Sequence, residues 1–143
     1  MPKNEFSELL SKLNLTFKNP GILREAFYHR SYLNEVKGIS SSNERLEFLG
    51  DAILSFVISD FLYSTHPGDT EGDLTNLRAY IVKTKSLAGA SKKLNLGDYL
   101  QLSKGEELGG GRENPQLLAN TYEALLGAIF LDQGTETTEA FIK

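Results

Sequence analysis

The feature that most constrains the fold is an almost unbroken apolar run, LEFLGDAILSFVI, which starts at Leu46 and carries only two charges. These charges are Glu47 and Asp51, and a spacing of four residues places them on one face of a helix. A helix that is apolar nearly all round is expected to be buried. Because a buried carboxylate without a partner is costly, each acid should face a cation, either an arginine or a bound metal ion.

A second apolar run, LLANTYEALLGAIFLD, raises the same question for Glu123, with Asn120 one turn before it. If the two helices meet, three carboxylates and one amide surround a pocket that suits a hard, octahedral cation. The alternative is that Glu47 or Asp51 pairs with a buried arginine. Spacing alone does not separate the two possibilities. The candidate arginines are Arg24, Arg30 and Arg78.

Composition narrows the kind of metal. The chain has no cysteine and only two histidines, so thiolate sites are excluded and a multi-histidine zinc site is not expected. Any metal should therefore be a hard ion such as Mg²⁺ or Mn²⁺. The net charge of −4 argues against nucleic-acid binding, unless several of the acids bind divalent cations and so invert the local charge.

Helical periodicity recurs along the 143 residues, without an internal repeat or a convincing strand pattern, so we predict one all-α domain. Ser41 or Ser42 should cap the longest helix, with Ser41 to Glu44 matching the capping-box pattern, and this helix should run to about residue 64. Glycine-rich segments at 37–42 and 99–115 should be exposed loops. The N-terminal residues mix acids and lysines, which predicts a cytoplasmic protein without a signal peptide or membrane span. The remaining helices are predicted at 5–13, from 20 onward, and at 71–83, 86–94, 116–131 and 136–141.

The chain resembles the nuclease domain of the ribonuclease III family. Five blocks in the family's order carry the resemblance: AFYHRSYLNE, NERLEFLGDA, EGDLTNLRAYIV, LSKGEELGGGR and ANTYEALLGAIFLD. The resemblance implies an all-helical bundle that forms a two-fold homodimer, with residues 1–143 as one nuclease domain. Family members normally carry a C-terminal domain that binds double-stranded RNA, and we expect none here. This piece alone should therefore bind RNA weakly and with salt sensitivity.

By the same resemblance, the expected activity is Mg²⁺-dependent hydrolysis of double-stranded RNA to 5′-phosphate and 3′-hydroxyl ends, as in rRNA and mRNA maturation. Mn²⁺ should substitute for Mg²⁺, and no organic cofactor is implied. Glu47, Asp51 and Glu123 resemble the family's catalytic, metal-binding carboxylates. Asn120 stands where the family most often has an aspartate, and an amide contributes no negative charge.

Asn120 leaves three alternatives: a working natural variant, an engineered inactive one, or a degenerate nuclease that only binds RNA as a dimer. We favour the first, because the fourth position can act through water rather than as a direct ligand.

The remaining blocks assign roles outside the metal site. Glu44 and Glu71 match acids that flank the family's cleft, although a capping box and a helix first turn also explain them. Phe48 would be core in a monomer, whereas the family places this aromatic in a socket on the partner subunit. Lys104 and Arg112 are the expected RNA contacts, while the lysines at 83, 85, 92 and 93 are solvated surface by default. The block His29-Arg30-Ser31 should close the second helix.

Overall fold

A computed structural model describes residues 6–142, and its ordered elements are helices, as the all-α prediction requires. Within this range there is no strand, only an isolated bridge between Tyr28 and Gln101. No helix in it is long and apolar enough to cross a bilayer. The α-helices are α1 (Ser7–Leu13), α2 (Pro20–Glu25), α3 (Glu44–Thr65), α4 (Glu71–Val82), α5 (Thr84–Lys93), α6 (Lys104–Leu108), α7 (Pro115–Gln133) and α8 (Thr135–Ile142), with 3-10 turns at Arg30–Asn34, Leu96–Tyr99 and Gly111–Glu113. Residue 5, where the first helix was predicted to start, lies outside the described residues.

The antiparallel pair α3 and α7 forms the centre of the fold, and two glycines set the distance between the two helices. A Cβ atom on Gly50 would lie 1.7 Å from the carbonyl oxygen of Glu123. A Cβ atom on Gly127 would lie 2.4 Å from the carbonyl oxygen of Leu46. The backbones of α3 and α7 are therefore in direct contact at these two glycines. This contact brings Glu47 and Asp51, which flank Gly50, next to Glu123.

The start of α3 differs from the predicted capping box. The N-cap is Asn43, whose side chain makes no capping bond. Its backbone N–H donates to the Tyr28 carbonyl (2.8 Å) and its Nδ2 donates to the Ala26 carbonyl (3.1 Å). The Ser42 hydroxyl, rather than Ser41, accepts from the Glu44 N–H at 3.2 Å. Contacts with residues distant in sequence thus fix this end, and no local pattern could reveal them.

The outer face of α3 is exposed, which corrects the expectation of a helix buried on all sides. Phe48 is 81% exposed, Phe56 63% and Tyr63 76%. Phe48 is therefore not core in the single chain. Residues 48, 52 and 56 recur at the spacing of one helical face, so α3 presents an apolar stripe that the described residues do not cover.

The segment 99–115 was predicted to be an exposed loop, and this was wrong. It contains α6 and a 3-10 turn, and Leu100, Leu102 and Gly111 are buried. The Arg112 guanidinium donates to the carbonyls of Gly97 (2.8 Å) and Leu100 (2.9 Å). Because this cation bonds to carbonyls at the end of the 3-10 turn Leu96–Tyr99, a glycine-rich segment is folded against the domain.

Replacing Gly50 with alanine should destabilise the protein, because the new methyl group would overlap the Glu123 backbone and force the helices apart. We expect a loss of at least about 2 kcal/mol in the free energy of unfolding, measured by urea denaturation. Gly89→Ala is the matched control, since Gly89 lies inside α5 and its Cβ position has no atom within 4 Å. That substitution should gain up to about 1 kcal/mol from helix propensity. Equal changes in the two variants would contradict the proposed role of the Gly50 contact.

Candidate active site

Three carboxylates from the central helices converge beside the glycine contact. Glu123 on α7 is only 9% exposed, Glu47 on α3 is half-buried and Asp51 is exposed. The carboxyl group of Glu123 forms a hydrogen bond with that of Asp51. The two acid-bearing helices therefore meet, which the sequence analysis had stated only as a condition.

This convergence disfavours ionisation of Glu123 and Glu47. Burial, the hydrogen bond with Asp51 and the charges of Asp51 and Glu47 together raise the pKa of Glu123 to about 8. Burial, followed by the charges of Glu44 and Asp51, also raises the pKa of Glu47. The cluster thus contains more negative charge than its surroundings compensate.

The arginine alternative is wrong for the described part of the chain. The ion pairs among residues 6–142 are Arg30 with Glu44 at 3.7 Å and Arg112 with Glu107 at 3.2 Å. No arginine in this range therefore pairs with Glu47, Asp51 or Glu123. Arg78 instead donates to the Ser59 hydroxyl at 2.8 Å.

Asn120 is the fourth member of the cluster. With its amide nitrogen turned toward Glu47, it donates to Glu47 Oε2 at 3.1 Å and to the Gln116 carbonyl at 3.2 Å. An ionised aspartate at this position would place a fourth negative charge there. The amide therefore holds Glu47 by a hydrogen bond in the absence of any cation.

Glu44, Glu47 and Asn120 open onto a cleft of about 360 Å³ between the starts of α3 and α7. Ser42 donates to Glu44 Oε1 at 3.0 Å, which orients this acid at the mouth of the cleft. His29 and Arg30 also line the cleft, although the sequence suggested only a structural role for their block. The structural role is present too: His29 Nδ1 accepts from the Ser31 N–H at 3.1 Å and caps the 3-10 turn that follows α2.

The other predicted site residues lie elsewhere. Glu71 is exposed in the first turn of α4, beside a capping box formed by Thr70 and Asp73, and does not line the cleft. Lys104 is exposed at the start of α6. An RNA contact remains a prediction for Lys104 and Arg112. For Arg112 it would compete with the carbonyl contacts described above.

Sequence reasoning also missed Gln116, whose Nε2 lies 2.8 Å from the Asn120 side chain. The spacing of four residues between them on one helix was the available signal.

The donor chemistry of the cluster fits a hard divalent cation. Among residues 6–142, no group of three or more histidine, aspartate or glutamate side chains is already arranged as a metal site. The candidate donor atoms of the cluster are nevertheless oxygens, from Glu47, Asp51 and Glu123 and from the amide of Asn120, and such ligands would suit Mg²⁺. A cation would supply the positive charge that the proton on Glu123 now replaces.

Comparisons with known proteins agree with this architecture. A family model described as Ribonuclease-III-like matches residues 19–143. Ribonuclease 3 of Shouchella clausii is 48% identical over 141 residues, which is 98% of this chain and 54% of that protein. Ribonuclease 3 of Borreliella burgdorferi is 44% identical over 140 residues, 98% of this chain and 57% of that protein. The chain therefore spans little more than half the length of these curated relatives.

Solved structures give the same result for the fold. The nuclease domain of ribonuclease III from Campylobacter jejuni superimposes with a TM-score of 0.89 at 41% identity, covering 96% of this chain and 92% of that one. Dicer from Pichia stipitis matches with a TM-score of 0.62 at 25% identity, over 89% of this chain and 53% of that one. Since the family match runs through both acid-bearing helices and the fold extends over nearly the whole of a solved nuclease domain, this chain belongs to the ribonuclease III family.

Proposed function

We propose that this chain is the nuclease domain of a Mg²⁺-dependent endoribonuclease that hydrolyses double-stranded RNA to 5′-phosphate and 3′-hydroxyl ends. The observation that carries the proposal is the convergence of Glu47, Asp51 and Glu123 at the glycine contact, where no arginine or lysine of residues 6–142 forms an ion pair with them. The many relatives named Ribonuclease 3 support the same activity. A role in rRNA and mRNA processing in the cytoplasm follows from that activity.

In the proposed mechanism, Glu47, Asp51 and Glu123 hold the cation, with Asn120 beside them. When bound, Mg²⁺, or Mn²⁺ in its place, supplies Lewis-acid activation of water and neutralises charge on the phosphate in the transition state. Glu123 must release its proton for the cluster to accept the cation, and its raised pKa makes this release dependent on pH. Asn120 orients Glu47 through the 3.1 Å hydrogen bond. Glu44 lies at the mouth of the cleft, restrained by Ser42 and Arg30.

The apolar stripe on α3 supports a homodimer. Phe48 lines a groove of about 590 Å³ together with three other apolar side chains and three charged ones: Leu46, Leu49, Leu131, Glu25, Glu44 and Arg45. In a two-fold pair, the same surface meets itself, so each Phe48 can enter the partner's groove. The nuclease domain from Campylobacter jejuni has a region involved in dimer formation, which supports this arrangement. Two sites would then each cut one strand, with recognition by duplex shape rather than by base sequence.

A second candidate function is a catalytically impaired dimer that only binds double-stranded RNA. The observation that favours it is Asn120, whose neutral amide gives the cluster one negative charge fewer than an aspartate at this position would. Whether the unaltered chain cleaves double-stranded RNA in Mg²⁺ distinguishes the nuclease from the impaired dimer.

Glu123→Gln should lower the rate of duplex RNA cleavage in Mg²⁺ by at least about 100-fold, because a neutral amide replaces a charge that holds the cation. Gel analysis of end-labelled RNA measures the rate and identifies the ends. Glu136→Gln, an exposed change on α8, should cleave like the parent. An inactive parent with an active Asn120→Asp variant would support the impaired alternative.

Glu123→Gln should also raise the melting temperature of the metal-free protein at pH 8, by about 4 °C or more. The folded-state pKa of Glu123 lies above the ordinary value of 4.5 that it has in the unfolded chain, so the stabilising effect of its proton is lost as pH rises from 4.5 toward about 8. Below pH 4.5 this residue causes no difference in stability, because it is protonated in both the folded and unfolded states. Differential scanning fluorimetry in EDTA measures the effect, and adding Mg²⁺ should raise the melting temperature of the parent more than that of the variant. If the melting temperatures of the parent and of Glu123→Gln changed in parallel with pH, this account would be refuted.

Phe48→Glu should shift the protein from dimer to monomer in sedimentation velocity experiments, because the variant loses the apolar contact and places a carboxylate beside Glu25 and Glu44 in the groove. Leu108→Glu is the control, since Leu108 is 89% exposed and lies outside the stripe on α3. It should sediment like the parent. A Phe48→Glu variant that stays dimeric at micromolar concentration would contradict the assigned interface.

A further inference from the structure

Gln116 reaches the acidic cluster through Asn120, although the proposed mechanism gives it no role. It lies in the first turn of α7, where its N–H donates to the Asn114 side chain at 2.8 Å and Pro115 begins the helix. Its backbone is therefore fixed. Its side chain is exposed and borders a cavity of about 550 Å³ next to the acidic cleft, which leaves the amide room to turn.

One atom of the Asn120 amide faces three polar neighbours. It lies 3.1 Å from Glu47 Oε2, 3.2 Å from the Gln116 carbonyl oxygen and 2.8 Å from the Gln116 side-chain amide. The two ends of an amide differ, because its nitrogen donates two hydrogen bonds and its oxygen only accepts. The end of Asn120 that takes this place therefore decides whether Glu47 faces a donor or an acceptor.

The nitrogen of Asn120 suits the cluster without a cation. Its two hydrogens bond to Glu47 Oε2 and to the Gln116 carbonyl oxygen. The Gln116 side chain then has to turn its own oxygen toward Asn120, where both hydrogens already have acceptors. In this orientation the Gln116 side chain adds little to the stability of the cluster.

The oxygen of Asn120 suits the cluster with a cation, because Mg²⁺ and Mn²⁺ take oxygen ligands. In this orientation the Asn120 oxygen and Glu47 Oε2 are two acceptors side by side, and a positive charge relieves their repulsion. Gln116 Nε2 donates to the Asn120 oxygen at 2.8 Å, and among residues 6–142 it is the donor that this oxygen has. The Gln116 side chain therefore contributes most when the Asn120 oxygen faces Glu47.

We propose that Gln116 is a positioning residue of the cation site, which selects the end of the Asn120 amide that faces Glu47. Its hydrogen bond to the Asn120 oxygen favours the occupied cluster over the empty one. The inference rests on the proposed function for the presence of the cation. An aspartate at position 120 would need no such partner, because both ends of a carboxylate are oxygens. Gln116 thus offsets part of the affinity that a neutral amide loses.

The test is a double-mutant cycle on the affinity for Mn²⁺, with free Mn²⁺ measured by electron paramagnetic resonance and no RNA present. Gln116→Met keeps the length of the side chain and removes its donor. It should raise the dissociation constant for Mn²⁺ about fivefold, the effect of one lost hydrogen bond. In an Asn120→Asp background the same change should raise it by less than about twofold, because a carboxylate presents oxygen in either orientation.

Gln101→Met is the matched control, since the Gln101 side chain donates to the nearby Tyr99 carbonyl and does not line the acidic cleft. It should keep the dissociation constant of the parent. Equal effects of Gln116→Met in the two backgrounds would overturn the inference. So would an unchanged dissociation constant in Gln116→Met, an equal rise in the control, or a parent that binds no Mn²⁺ at millimolar concentration.

A second measurement follows the two amides directly. Asn120 and Gln116 each give one side-chain NH₂ signal in ¹⁵N NMR spectra, identified by its loss in Asn120→Asp or in Gln116→Met. Adding Mg²⁺ to the parent should shift both signals, because both amides turn when the cation binds. A shift of the Asn120 signal alone would contradict the inference, and a merely structural Gln116 would give that result.

Cleavage of duplex RNA in Mg²⁺ is measured separately. A chain that shows the coupling between Gln116 and Asn120 but never cuts RNA would contradict the proposed function and leave the role of Gln116 supported. A chain that cuts RNA without this coupling would contradict the role of Gln116 alone.

Discussion

The direct backbone contact between α3 and α7 is the constraint on which the site depends. At Gly50 and Gly127 each helix lies against a carbonyl of the other, and any side chain at either position would separate them. The acids belong to the same helical turns as these glycines. A pair of helices packed through ordinary side chains would hold Glu47 and Glu123 too far apart to perturb one another. The geometry of the site is thus a consequence of core packing.

That packing has a cost in stability. The contact region is among the most completely buried parts of the domain, and Glu123 occupies it while hydrogen-bonded to another carboxyl. Apolar residues would fill the same positions with less electrostatic strain. Retaining three acids there is the pattern expected of a functional site, where local stability is given up for chemistry.

The sequence was informative where a residue conflicted with its neighbours. Acids inside apolar runs identified both central helices and indicated what they would form if they met. It was uninformative where the reason for a structure lies in distant contacts. Asn43 is fixed by carbonyls of residues that precede α3 by many positions, and Arg112 folds a glycine-rich segment by bonding to carbonyls of residues 97 and 100. Periodicity could show that α3 is apolar all round, but not that the described chain leaves Phe48 uncovered.

Asn120 illustrates how one residue acts differently on the proposed site with and without a bound cation. Without a cation, its amide donates to Glu47 and so relieves part of the repulsion among the carboxylates. With a cation, the same amide contributes less charge than an aspartate would, so electrostatic attraction for the metal is weaker. The residue therefore narrows the difference in free energy between the empty and the occupied cluster. Affinity for the cation is set by that difference in free energy. The hydrogen bond to Glu47 stabilises only the cluster without a cation, so it weakens cation binding even if the geometry of the bound state is unaltered.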